Sequence, residues 1–135
     1  MRINCIVVDD TPLAVEKLEG LIRQVPLLNL LKSFNSGIEA ISFMKINTVD
    51  LVFLDIQMEQ FSGLQFLESF QNRPQIIIVS SYSQYAVNGF DYSVTDYLLK
   101  PYSFERFLKA IDKVQDDLKL KSQKEYISVK TAYRM

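Results

Sequence analysis

Two rhythms of polarity alternate along this chain. Five short runs are rich in apolar and β-branched residues: INCIVVD (3–9), LLNLLKSF (27–34), DLVFLD (50–55), QIIIVSS (75–81) and TDYLLK (95–100). The first, third and fourth are nearly continuous in Val, Ile, Leu and Phe. A strand with one wet face alternates, whereas an unbroken run suits a strand covered on both faces, as in a parallel sheet. Between these runs the apolar spacing becomes helical. In TPLAVEKLEGLIRQV (11–25), Leu18, Leu21, Ile22 and Val25 form one stripe, with Thr11 placed as N-cap and Pro12 at the first helical position. SGIEAISFMK (36–45) opens on Ser36 and Glu39, and SGLQFLESF (62–70) on Ser62 and Gln65. Both have the spacing of a capping box, and the second predicts burial of Leu64, Phe66, Leu67 and Phe70. SQYAVNGF (83–90) is a weaker helical pattern. SFERFLKAIDKVQDDL (103–118) is the strongest, with Phe104, Phe107, Leu108, Ile111, Val114 and Leu118 on one face.

Strands therefore alternate with helices five times. Parallel neighbours need crossovers and helices supply them, so the pattern predicts an α/β fold, a (βα)₅ parallel sheet covered on both faces. From Lys119 the chain turns polar and basic, with Lys119, Lys121, Lys124, Lys130 and Arg134 against Glu125. An apolar–polar alternation then predicts a short strand from Tyr126 to Val129. The expected division is one domain over residues 1–120, and over 121–135 a linker and the start of a truncated second domain.

Composition narrows the function. A length of 135 residues suits one domain, and 48% hydrophobic with 23% charged residues is ordinary for a globular protein. A net charge of −1 gives no overall attraction to nucleic acid or anionic membrane. The chain has no histidine, which excludes imidazole metal sites and His-based triads. Its one cysteine, Cys5, lies inside the first apolar run, so no disulfide forms within the chain. Cys5 reads as a small buried hydrophobe in a protein of the reducing cytoplasm. No apolar run approaches the ~20 residues of a membrane span, and the N-terminus lacks a signal-peptide layout.

Ligands of an open parallel sheet bind beyond the carboxyl ends of its strands. The first strand ends on Asp9 and Asp10, the third on Asp55, the fourth on Ser80 and Ser81, and the fifth on Lys100 and Pro101. Two adjacent carboxylates repel by roughly 4 kcal/mol at ~4 Å and an effective dielectric of ~20, so something must offset Asp9 and Asp10. Helix amides, a lysine or a cation could each do so. Carboxylates, a hydroxyl and an ammonium at one edge suit a hard divalent cation and a phosphoryl group. Each residue also has a plainer reading: acids at the N-terminus of a helix, a capping Asp55, a turn serine, a lysine whose stem covers apolar surface.

The stretches VVDD, LVFLDIQM…SGLQFL, IIIVSS and DYLLKPYSFERFLKAI make residues 1 to about 120 resemble a response-regulator receiver domain. The resemblance implies a flavodoxin-like sheet in the order 2-1-3-4-5, and phosphorylation of an aspartate by a partner histidine kinase. By position Asp55 is then the phosphoacceptor. Mg²⁺ is held by Asp10 directly, by Asp9 largely through water, by Asp55, and by the backbone carbonyl of Gln57. Ser80, with Ser81 beside it, and Lys100 meet phosphoryl oxygens. A cis bond before Pro101 aims the lysine, and Tyr97 moves when Ser80 does. Such a domain promotes its own phosphorylation and hydrolysis without being a turnover enzyme.

Glu59 stands where the family often has proline, and Gln57 and Tyr82 occupy positions that tune water access. The resemblance further implies a homodimer through the predicted helix at 83–90, the fifth strand and the last helix. EYISVKTAYR resembles the first strand of a LytTR-type DNA-binding domain, which implies a transcription regulator. This stretch of chain by itself is expected to bind no nucleic acid specifically. The rivals are an aspartate-nucleophile phosphatase, which needs Asp-x-Asp after the first strand, and a non-phosphorylated interaction module. A nucleotide- or flavin-binding domain lacks support, because the four glycines are scattered.

Overall fold

The computed structural model describes residues 2–56, 58, 63–68, 73–81 and 93–133. Side chains at 63, 64, 67 and 125–133 also fall outside that description. The elements run β1 (Ile3–Val8), α1 (Pro12–Arg23), β2 (Leu28–Phe34), α2 (Gly37–Ile46), β3 (Leu51–Leu54), α3 (Gly63–Glu68), β4 (Gln75–Ser80), β5 (Asp96–Leu99) and α4 (Phe104–Tyr133). All five strands pair in parallel, in the order β2-β1-β3-β4-β5. This is the flavodoxin-like topology that the resemblance implied. The predicted helix at 83–90 lies outside the described residues, as do Ser62 and Phe70.

The continuous apolar runs are explained by two cores, one on each face of the sheet. Cys5, Val7, Leu51, Phe53, Ile77 and Val79 point to one side, where Leu18 and Ile22 of α1 and Phe107, Ile111 and Val114 of α4 cover them. Ile6, Val8, Val52, Leu54, Ile76 and Ile78 point to the other, against Ala40 of α2 and Phe66 of α3. Successive strand residues face opposite ways, so every position must be apolar when both sides are dry. Phe53 and Phe107 stack with ring centroids 5.7 Å apart, which fixes α4 against the centre of the sheet.

Three local expectations change. Thr11 is the N-cap of α1, but its side chain makes no capping bond. Asp9 does that work instead, because its Oδ1 accepts the Thr11 N–H at 2.9 Å. Phe104 remains 37% exposed, so the apolar stripe of α4 is buried from Phe107 onward. The strand expected at Tyr126–Val129 is helical, since α4 runs unbroken to Tyr133. A helix closes its hydrogen bonds within itself, while a strand needs a neighbour. The Lys, Leu, Gln and Glu residues from 119 to 125 also favour helix over the alternation that follows.

Candidate functional site

Parallel register brings the strand ends together. Val8 of β1 pairs with Leu54 of β3, so Asp9 and Asp55 follow side by side. The Asp55 N–H donates to the Val8 carbonyl at 2.9 Å, and the Asp9 N–H to the Phe34 carbonyl at 3.0 Å. These bonds extend the ladder by one residue and fix both carboxylates at the carboxyl edge. Asp9 is 3% exposed and Asp55 7%, while Asp10 is half-buried. One carboxylate oxygen from each of Asp9, Asp10 and Asp55 lies within 4.8 Å of the others. An all-oxygen trio with one partly open member fits a hard divalent ion that keeps some of its water. Gln57, whose carbonyl was expected to join the set, lies outside the described residues, as do Glu59 and Tyr82.

Ser80 and Lys100 stand at the carboxyl ends of the next two strands, at the same edge. Ser80 ends β4 opposite Leu99 of β5 and is 1% exposed. The Lys100 N–H donates to the Ser80 carbonyl at 2.7 Å, which extends the β4–β5 ladder by one residue. The Lys100–Pro101 peptide is cis. The Lys100 ammonium reaches Asp9 Oδ2 at 3.3 Å, with a quarter of the lysine side chain exposed. Asp9 thus gives one oxygen to Thr11 and the other to Lys100. The same side chain serves the start of α1, meets a lysine, and belongs to the acidic trio.

Ser81 is exposed. It lies with Ala14, Lys17, Lys100, Pro101 and Tyr102 around a recess of about 320 Å³ beside the lysine. Lys17 sits over the Tyr102 ring, 4.7 Å from its centroid. Burial and the nearby Asp9 carboxylate push the Tyr102 phenol up to about 12. Tyr97 is half-buried and packs against the core that contains Ile78, its partner across β4–β5.

The sequence reading missed one cluster. Asp96, 9% exposed, accepts both Arg106 guanidinium nitrogens at 2.7 Å and lies 3.3 Å from the Lys113 ammonium. Burial alone would raise the Asp96 carboxyl, but its bonds to Arg106 and Tyr97 and the charges of Arg106 and Lys113 hold it below the usual range. Ser103 caps α4 by accepting the Arg106 N–H at 3.1 Å. The available signal was a charged residue opening an apolar strand, followed ten positions later by a basic residue in the next helix.

Comparison with known proteins agrees with this arrangement. The response regulator receiver domain matches residues 5–112. Protein MrkE of Klebsiella pneumoniae is 30% identical over 116 residues, which cover 84% of this chain and 43% of MrkE. The sensory transduction protein LytT of Enterococcus faecalis is 32% identical over 118 residues, 85% of this chain and 49% of LytT. The solved response regulatory domain of MrkE superposes with a TM-score of 0.80 at 28% identity, covering 87% of this chain and 99% of that one. The chain belongs to the response regulator receiver family. It spans about half the length of the curated relatives it matches. Among the described residues no helix is long and apolar enough to cross a membrane.

Proposed function

We propose that this receiver takes a phosphoryl group on Asp55 from the phosphohistidine of a sensor kinase and relays that change to an attached output domain. The observation that carries the reading is the trio Asp9, Asp10 and Asp55, its oxygens within 4.8 Å of one another. The Asp55 carboxylate attacks phosphorus, an acyl phosphate O–P bond forms, and the P–N bond breaks with its electron pair leaving on the imidazole. Mg²⁺ held by Asp9, Asp10 and Asp55 would screen the negative charge as two anions meet. As the family resemblance implies, Asp10 and Asp55 would be direct ligands and Asp9 a ligand largely through water. In this reading Lys100 turns from Asp9 toward a phosphoryl oxygen, and the Ser80 hydroxyl donates to another. Tyr97, on the strand beside Ser80, follows that movement as a shift between two populations.

The output is read as transcriptional. The domain division at about residue 120, a LytTR-type DNA-binding partner, a cytoplasmic location and a homodimer through the 83–90, β5 and α4 face belong to this reading. Incubation of the chain with acetyl phosphate and Mg²⁺, followed by intact-mass measurement, tests it. One phosphoryl adduct is expected on the wild type and none on Asp55→Asn. An unmodified wild type, or sustained phosphate release, would favour the interaction-module or phosphatase rival.

A further inference from the structure

Between Ser80 and α4 lies Tyr97, whose backbone is held in an unusual way. Its N–H donates to Asp96 Oδ1 at 2.8 Å, and its carbonyl accepts from Arg106 Nη2 at 3.1 Å. The two groups that hold it are joined to each other by two 2.7 Å bonds. Such paired, planar contacts between guanidinium and carboxylate are among the most directional in proteins. Lys113, about two turns further along the same face of α4, adds a second cation to Asp96 at 3.3 Å. The Ser103 hydroxyl fixes the backbone of Arg106 itself.

We infer that Asp96 and Arg106 form a positioning clamp that holds the Tyr97 main chain rigid, so that only its side chain can answer phosphorylation. The inference rests on the receiver reading above. The clamp joins β5 to α4 as one body, and a displacement of the strand would break several charge-assisted bonds at once. Rotation of the Tyr97 ring breaks none of them. The ring is half-buried against Ile78 and its neighbours, so it has a packed position to leave and solvent to enter. Asp96 is already satisfied within its own chain by Arg106, Lys113 and the Tyr97 amide, so it has little left to offer a partner across a dimer. Neither Asp96 nor Arg106 belongs to the acidic trio, so neither is needed for the chemistry at Asp55.

The test compares wild type with Arg106→Ala and Arg106→Lys by amide exchange at Tyr97 and by NMR of a ring-labelled Tyr97, before and after acetyl phosphate. In the wild type the ring signals are expected to move while amide protection stays unchanged. In Arg106→Ala the Tyr97 amide is expected to exchange at least ~tenfold faster, because its acceptor Asp96 loses both guanidinium bonds and keeps only the more exposed Lys113. Its ring response is expected to broaden or vanish, although the adduct still forms at the wild-type rate. Arg106→Lys keeps the charge without the fork and should fall between. A wild type that loses Tyr97 amide protection on phosphorylation overturns the clamp. So does an Arg106→Ala variant with wild-type exchange and ring response. If Arg106→Ala does not fold, the Arg106→Lys comparison decides alone. Absence of any adduct on wild type sinks the receiver reading instead, while exchange in the unmodified chain still decides whether the clamp exists.

Discussion

The two ends of the sheet treat polar residues in opposite ways. At the amino end, polar groups stitch all five strands in one line. The Asn29 side chain on β2 donates to Asn4 on β1 at 3.0 Å, and the Asn4 N–H donates to Asp50 Oδ2 at 2.9 Å. Asp50 returns its own N–H to the Asn4 carbonyl, and its carbonyl accepts from Gln75 on β4. The Gln75 side chain then meets the Thr95 hydroxyl just before β5. Here one carboxylate sits among donors. At the carboxyl end three carboxylates converge, two of them less than 10% exposed. The first arrangement fixes register and favours the fold. The second accumulates like charge, a cost that a protein bears where it must bind something.

The largest effect should come from breaking the carboxyl end. A single charge ~4 Å from a divalent ion, at an effective dielectric of ~20, interacts by roughly 8 kcal/mol before desolvation is subtracted. Asp10→Ala is therefore expected to weaken Mg²⁺ binding by more than ~100-fold in calorimetric titration. Its thermal midpoint without metal should stay level or rise, because one source of repulsion has gone. A clear fall in that midpoint would mean that Asp10 serves the fold, and would remove the contrast between the two ends.

At the amino end the expected sign is reversed. Asp50→Ala deletes an acceptor that holds a backbone N–H between neighbouring strands, worth about 1–3 kcal/mol. The urea midpoint should drop accordingly, while the amount and rate of acetyl phosphate adduct on Asp55 stay as in wild type once folding is complete. Equal stability of the variant and wild type would show the line of polar contacts to be decorative.

These ends also differ in how far they could be read from the chain. The carboxyl site was legible because strand ends are abrupt: VVDD, FLD and LLKP each switch from core to charge within one residue. Parallel topology then places such ends together, and Asp9, Asp10, Asp55, Ser80 and Lys100 all stand at that edge. The amino-end line was not legible. Asn4, Asn29, Asp50, Gln75 and Thr95 sit where turns and caps ordinarily recruit the same residue types. Only the register of paired strands shows that they touch. Asp96 and Arg106 were hidden for a related reason, since their meeting depends on how α4 crosses β5. The Tyr126–Val129 alternation misled because a period of two, over four residues, says nothing about whether a neighbouring strand exists.

The smallest expected effect links the two ends through Cys5. Its thiol is buried on β1 and pushed up to about 12 by that burial and by the Asp50 charge. At neutral pH it stays protonated, and a disulfide reagent can reach it only when the sheet opens. Anything that binds the folded state alone lowers the open population, by ~1.4 kcal/mol at ten times its dissociation constant. Mg²⁺ at that level should therefore slow Cys5 modification about tenfold in wild type. Asp50→Ala should react faster at every metal concentration yet keep the same protection ratio, because its acidic site is intact. Asp10→Ala should show almost no protection. Equal slowing in Asp10→Ala and wild type would mean that the ion acts elsewhere, and the division of labour between the two ends would then fail at the carboxyl end.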